Sequence, residues 1–424
     1  MSHARLHAPR GTFDVLPEQA AARETVEREA RRIFQAAGYG RVETPTFEAT
    51  DLFARGVGES SDVVRKEMYS FDDGGGRSMT LRPEGTAPIC RAYIEHGMHK
   101  LPQPVRLWYL SSFYRREAPQ AGRYRQFWQV GVEAIGSDDP AVDAETILLL
   151  VELLDAVGAR QLRLRLSSLG SPAVRAGYRA ELQAYLRGRE PELSREVRER
   201  IELNPLRAFD TDDPGTHAVM AQAPRLLDRL EGEDADHFAE VRALLDAVGL
   251  AYEVDPTLVR GLDYYTRTVF EFESDALGAQ RGVGGGGRYD GLVAALGGPE
   301  AAGCGWAAGV ERILLASSDA SRAAGGPPAP APPVELFVAY DDAGRRDAAF
   351  RIVAEARRAG LAAQLELGGR SLKGQLKQAD RIAAAFVAIL RSDGAVLRDM
   401  ERGEQREVEP EAVPAEVLRT RGVK

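Results

Sequence analysis

The chain has little cysteine. Cys90 and Cys304 are its only two in 424 residues, they lie far apart, and no Cys-x-x-Cys occurs. That argues against a disulfide framework or a cysteine-built zinc site and suits a reducing cytoplasm. No apolar run is long enough to span a bilayer, and the N-terminal MSHARLHAPRGTFD lacks the apolar segment of a secretory signal. No membrane association is therefore expected. There is no Gly-x-x-x-x-Gly-Lys-Ser/Thr, so a nucleotide would not be held by a P-loop. Positive charge is not in excess: 55 Lys and Arg face 64 Asp and Glu, a net charge of -9. At first this argues against nucleic acid, but net charge governs solubility and steering rather than local patches. Residues 334–424 carry 16 basic and 15 acidic side chains. The acidic excess therefore lies entirely in the rest, and the tail is the part more suited to face RNA. No internal repeat is present.

What is there reads as a globular protein of two or three domains, with 44% hydrophobic and 28% charged residues. Residues 17–38 predict a helix ending at Gly38, and RVETPTFE a strand with Pro45 at an edge or interface. KEMYSFDDGGGRSMTLRPE predicts a hairpin around a glycine-rich tip. PVRLWYLSSFYRRE and RQFWQVGVEAIG predict two more strands, residues 140–158 a helix, and QLRLRLSSLG a strand. Residues 172–248 read as a mostly helical insertion, broken at NPLRAFDTDDPG. Strand signals return at 258–273, followed by a glycine run, a helix near 288–296, and GCGWAAGVERILLA as strand turning into helix. Strands joined by short loops, with helices in separate blocks, argue α+β with an antiparallel sheet. An Ala/Gly/Pro linker is expected at 321–333, dividing a domain over 1–320 from a small α/β domain over 334–424 with a parallel sheet.

Several segments carry chemistry. Around one hairpin turn lie Arg115, Arg123 and Arg125 with Phe113, Tyr124 and Phe127. Guanidinium groups bind phosphate oxygens bidentately, and a flat ring can stack on a base. The plainer alternative is a solvated basic hairpin. GCGWAAGVERIL places glycines in a strand and Arg312 in the first turns of a helix; the alternative is a surface Glu-Arg pair. Glu84 and Thr86, in Arg-Pro-Glu-Gly-Thr, could grip an ammonium group, or form a turn with a capping Thr. Gln129 and Glu133 stand at i and i+4 of one strand and face one side. They could meet a ligand or simply solvent. A buried Glu beside tyrosines would accept an imidazole N–H. Gly282-Val-Gly-Gly-Gly-Gly287 matches a dinucleotide fingerprint, but no βαβ unit surrounds it. It fits close backbone packing beside a pocket better. His96 and His99 lack a third ligand, so no metal site is expected.

Leu258 to Phe272, LVRGLDYYTRTVFEF, is the most informative stretch. It resembles the histidine-recognition signature of histidyl-tRNA synthetases, and GVGGGGRYDGL resembles the second such signature. The helix to Gly38 with TPTFE, the 113–133 hairpin, and GCGWAAGVERIL resemble motifs 1, 2 and 3 of class II aminoacyl-tRNA synthetases, in order. GGRSLKGQLKQAD resembles the family's anticodon-binding domain. The resemblance covers nearly the whole chain. It implies a class II synthetase-like catalytic domain with a helical insertion, followed by an anticodon-binding α/β domain.

It implies activation of histidine with ATP and Mg2+ to histidyl-adenylate, then transfer to tRNA(His), by a homodimer joined through motif 1. By matching positions, Arg115 would bind the α-phosphate and Arg312 the γ-phosphate. Phe127 would stack on adenine, with Glu117 and Arg123 fixing the nucleotide. Glu84, Thr86 and Gln129 would hold the amino group of histidine, and Glu133, Tyr264 and Tyr265 would read its imidazole. Arg260, with Arg115, would be catalytic, stabilising charge as the carboxylate attacks. Two positions depart from the family. Ala118 stands where motif 2 usually has Arg, and Trp128 where it has His. Strand alternation turns Trp128 away from the pocket. A non-catalytic histidine-binding regulatory paralogue is the alternative, although such paralogues lack the tail and have degraded signatures.

Overall fold

The computed structural model describes residues 6–58, 61–278, 281–317 and 334–421. The expected linker at 321–333 lies outside these. The described residues form two compact units, one on each side of that stretch.

In the first unit, helix α1 (Pro17–Ala36) starts with Pro at its first position. Val26, Ala30, Ile33 and Phe34 lie on one face of it and are buried. Gly38 follows at φ +81°, a conformation that glycine adopts freely, and turns the chain back to the sheet. The segment expected to be one strand, RVETPTFE, is split. Gly40–Arg41 (β1) pairs parallel with the main sheet, and Phe47–Ala49 (β2) joins a separate small one. Pro45, which has no N–H to give a ladder, falls at the break. Helix α2 (Thr50–Val57) follows. The expected hairpin is β3 (Tyr69–Asp72) and β4 (Ser78–Leu81), completing the small sheet in the order β2-β4-β3.

After α3 (Thr86–Glu95), β5 (Val105–Tyr114) and β6 (Gln126–Ile135) pair antiparallel over ten residues each. Helix α4 (Pro140–Ala156) and β7 (Leu162–Ser168) come next. The insertion supplies α5 (Pro172–Arg187), α6 (Arg195–Arg200), α7 (Pro214–Ala221) and α8 (Gly232–Ala247). Then come β8 (Glu253–Val254), β9 (Thr266–Ser274), β10 (Gly282–Arg288), α9 (Leu292–Ala295), β11 (Gly303–Gly309) and α10 (Val310–Ala316). The eight-stranded order is β1-β5-β6-β11-β10-β9-β7-β8, antiparallel except for the β1–β5 and β7–β8 pairs.

Residues 258–265 are not strand: the ladder begins at Thr266, so Arg260, Tyr264 and Tyr265 stand on a loop. The glycine run, expected to allow close backbone packing, is itself strand β10. It is squeezed between β9 and β11, where a β-carbon on Gly286 would lie 1.9 Å from the carbonyl oxygen of Gly305.

Period-two alternation sorts β5 and β6 onto two faces. Trp108, Leu110, Val130, Val132 and Ala134 join α1, α4, α8 and α10 in the largest core. Tyr109, Phe113 and Phe127 point the other way, toward α3 and α9. The cleft opens on that second face.

The second unit has strands β12 (Leu336–Tyr340), β13 (Ala363–Leu365), β14 (Phe386–Arg391), β15 (Gly394–Asp399) and β16 (Gln405–Val408). Helices Arg346–Arg358, Leu372–Arg381 and Val413–Arg421 accompany them. The expected parallel sheet is mixed: β13-β12-β14 are parallel, and β15 and β16 add an antiparallel edge.

Candidate active site

One cleft of about 210 Å3 is lined by Glu84, Thr86, Arg115, Glu117, Arg123, Phe127, Gln129, Arg260, Tyr264, Tyr265 and Arg312. Residues drawn from four separate segments of sequence thus reach one space. Of the expected site residues, Glu133 alone does not line it.

The nucleotide-side expectations fall at the β5–β6 turn and at the start of α10. Arg115 donates from Nε to the carbonyl of Pro83 at 2.9 Å, and its guanidinium lies 5.4 Å from the Phe127 ring centre. Glu117 bridges the arginines, 2.8 Å from Arg123 and 3.7 Å from Arg115. Arg312 donates from Nε to the carbonyl of Gly122 at 3.1 Å and from Nη1 to the carbonyl of Gly282. Burial lowers its pKa. Phe127 and Gln129 face the cleft while Trp128 packs on the opposite side, 5.5 Å from the Arg23 guanidinium. The alternation read from sequence thus places Trp128 outside the pocket.

On the floor, Glu84 is buried and accepts from the backbone N–H of Thr86 at 2.8 Å and of Ala87 at 3.0 Å. It satisfies the first turn of α3, where the sequence had suggested a capping Thr. Desolvation raises its pKa, opposed by those two N–H donors. A carboxylate has about four acceptor sites, so Glu84 keeps capacity for a ligand ammonium. Thr86 turns instead to Glu133, donating to Oε1 at 2.7 Å. Gln129 Oε1 is buried with no hydrogen-bond partner. An orphaned buried amide oxygen at a cleft wall calls for a donor from the ligand.

Glu133 differs from expectation. It is fully buried behind the wall, and its Oε2 accepts from Tyr289 Oη at 2.6 Å. A β-carbon on Gly305 would lie 1.9 Å from that Oε2, so the strand crosses directly over it. Desolvation pushes its pKa up to about 8, against the pull of Tyr289 and Thr86. It meets the cleft through Thr86, which lines it.

Arg260 closes the cleft from the loop before β9. Its Nη1 lies 3.3 Å from Glu271 Oε1, and its guanidinium 5.9 Å from the Tyr265 ring centre. Its Nε is buried without a partner. A β-carbon on Gly285 would come within 3.0 Å of Arg260 Nη1, so the glycine strand gives this arginine its bed. Tyr264 and Tyr265 lie 4.7 Å apart between ring centres, tilted by 56°, and burial raises both phenols.

Sequence reasoning missed Glu271, Tyr289 and Tyr109. Glu271 alternates inward on β9 and was legible by its period-two position. Tyr109 is buried with an unpartnered hydroxyl, and only the folded sheet reveals it.

A family model for histidyl-tRNA synthetase matches residues 11–313. A histidine–tRNA ligase of Saccharopolyspora erythraea is 48% identical over 412 residues, covering 95% of this chain and 96% of its own. One from Desulforamulus reducens is 46% identical, covering 94% of this chain and 96% of its own. The crystal structure of the apo histidyl-tRNA synthetase of S. aureus superposes with a TM-score of 0.80 at 34% identity, over 97% of this chain and 100% of its own. Matches of this length and identity to ligases set aside the regulatory-paralogue alternative. The antiparallel sheet, the cleft lined by the segments expected as motifs 2 and 3, and these relatives agree: the chain belongs to the histidyl-tRNA synthetase family.

Proposed function

We propose that the cleft activates histidine with ATP and passes it to tRNA(His), with the lining residues in the following roles. As a member of its family the chain is an ATP-dependent histidine–tRNA ligase. The histidine carboxylate attacks the α-phosphorus of ATP, pyrophosphate leaves, and histidyl-adenylate remains. A ribose hydroxyl of the terminal adenosine of tRNA then attacks the acyl carbon and AMP leaves.

Arg115 holds the α-phosphate and Arg312 the γ-phosphate, with Phe127 against the adenine. Glu117 and Arg123 fix the nucleotide. A Mg2+ ion would arrive with the ATP and offset phosphate charge, and Glu117 and Glu271 of the cleft wall would hold it. Glu84, Thr86 and Gln129 receive the α-ammonium, and Tyr264 and Tyr265 read the imidazole. Glu133 orients Thr86 from behind. Arg260 stabilises the charge that grows as carboxylate meets phosphate, an effect of preorganised electrostatics rather than proton transfer. A site built to pair both ring nitrogens leaves buried polar groups unsatisfied by other amino acids, which gives strong discrimination.

The observation that carries this reading is the meeting of Arg115, Arg260 and Arg312 with the orphaned Gln129 oxygen in one cleft. Cations for phosphates and an acceptor for an ammonium are what ATP and an amino acid need together. The second unit serves as the anticodon-binding domain in this reading. Dimerisation through motif 1 is supported by the exposed ring pair Phe47 and Phe71, 6.1 Å apart on the small sheet beside it. A cytoplasmic location accords with two buried free cysteines.

The test is ATP–pyrophosphate exchange with each standard amino acid in turn. Exchange with histidine alone is the expected result. Exchange with another amino acid, or none from a folded protein, would overturn the roles assigned to Tyr264, Tyr265 and Gln129.

A further inference from the structure

The loop that carries Arg260 is built into the helical insertion. Leu258 and Tyr265 are buried in the same core as Tyr178, Leu182, Val197 and Val219 of the insertion. Residues 258–265 have no ladder of their own, so side-chain and end contacts set their shape. Two of these are polar and come from the insertion. Arg175 of α5 donates from Nη1 to the carbonyl of Tyr265. Asn204 donates from Nδ2 to Asp263 Oδ1 at 3.1 Å.

On its other side the loop meets the end of α2. The N–H of Asp263 donates to the carbonyl of Val57 at 3.2 Å. Gly58 at φ +96° leaves room for the Asp263 carboxylate, since a β-carbon there would lie 2.7 Å from Oδ2. The insertion is tied to the catalytic unit close by: Asp62 pairs with Arg200 at 3.1 Å and Arg207 at 3.6 Å. The loop is thus clamped between the insertion and α2, and Arg260 itself pairs with Glu271.

We propose that the helical insertion is the positioning element of the activation step, with Arg175 and Asn204 setting the place of Arg260 by fixing the loop at Tyr265 and Asp263. This rests on reading the cleft as the histidine-activating site. Neither Arg175 nor Asn204 lines the cleft, so both are positioning residues. A displacement of about 1 Å at a preorganised cation costs on the order of a hundredfold in rate.

The experiment uses the full-length protein and Asn204→Ala. The expected result is a fall in kcat for histidine-dependent pyrophosphate exchange of about tenfold or more. The Kd for a non-hydrolysable ATP analogue stays within about twofold, because the phosphate-side residues stand on other elements. Backbone amides of 258–265 exchange hydrogen faster, while those of β5 and β6 do not change. Exchanging donor and acceptor in the double variant Asn204→Asp, Asp263→Asn restores most of the rate. Should Asn204→Ala fail to fold, Arg175→Met is read by the same measurements. Parent-like kcat with parent-like hydrogen exchange over 258–265 would overturn the proposal. If the parent shows no histidine-dependent exchange, the reading of the cleft fails. The hydrogen-exchange comparison then decides by itself whether the insertion fixes the loop.

Discussion

Thr86 Oγ1 donates to Glu133 Oε1 at 2.7 Å, joining the first residue of α3 to the middle of β6 inside the protein. The other oxygen of Glu133 is taken by Tyr289. Thr86 lines the cleft, and Glu133 stands behind its wall.

Desolvation raises the Glu133 carboxyl from 4.5 to about 8 in the folded protein. A group raised on folding contributes stability that is fully present below its unfolded value and is lost as pH rises through its folded value. Stability should therefore fall between about pH 4.5 and 8, with a slope approaching roughly 1.4 kcal/mol per pH unit. Glu84, also raised by desolvation, adds in the same direction. Glu133→Gln cannot titrate and retains an acceptor oxygen. Melting temperature measured against pH should fall less steeply in this variant than in the parent. Identical slopes would show that Glu133 does not titrate in this window.

Arg260→Ala should fold with a near-parent melting temperature and lose most of its exchange activity, by about a hundredfold or more in kcat. The guanidinium acts where charge develops, and it packs on the cleft surface, not in the core. Exchange kinetics beside a circular dichroism melt check this. A folded variant with near-normal exchange would remove Arg260 from the chemistry.

Gly286→Ala should destabilise strongly, because its β-carbon would lie 1.9 Å from the Gly305 oxygen and 2.6 Å from Trp306 Cα. Both contacts are backbone and cannot turn away, so the cost is about 3 kcal/mol or more. Gly291→Ala, which meets nothing within 4 Å, should be tolerated. A pair of thermal melts separates the two. Equal stability would mean that β10 and β11 can separate without loss.

Removal of residues 334–424 should leave pyrophosphate exchange partly intact and cripple tRNA charging. The truncated protein keeps every residue of the cleft. Charging assays with exchange as the control decide it. Charging equal to that of the whole chain would take the tail out of RNA recognition.

Much of the site was legible before the fold. Gln129 and Phe127 share a face because β-strand side chains alternate, and the same rule sent Trp128 outward. Arg115 and Arg312 were legible as cations flanked by aromatic and glycine residues. Other features were not legible. The run from Leu258 to Tyr265 is apolar and aromatic enough for a strand, yet it is a loop. Its partners are the insertion core and Val57, not a neighbouring ladder. Glycines 284–287 were legible as a place of close backbone packing but not as a strand, because glycine is a poor strand former. They form a strand because only residues without side chains fit between β9 and β11.

The sequence by itself determined the alternation of β5 and β6, the helical start at Pro17, the types of residue that meet a phosphate, and the family. These depend on local periodicity and on short motifs, which a chain carries in its order. Only the tertiary structure decided that Glu133 lies behind the wall rather than in it, and that Arg260 rides on a loop held by Arg175 and Asn204. Burial and hydrogen-bond partners are set by segments far apart in sequence, and these meet only when the sheet closes over them.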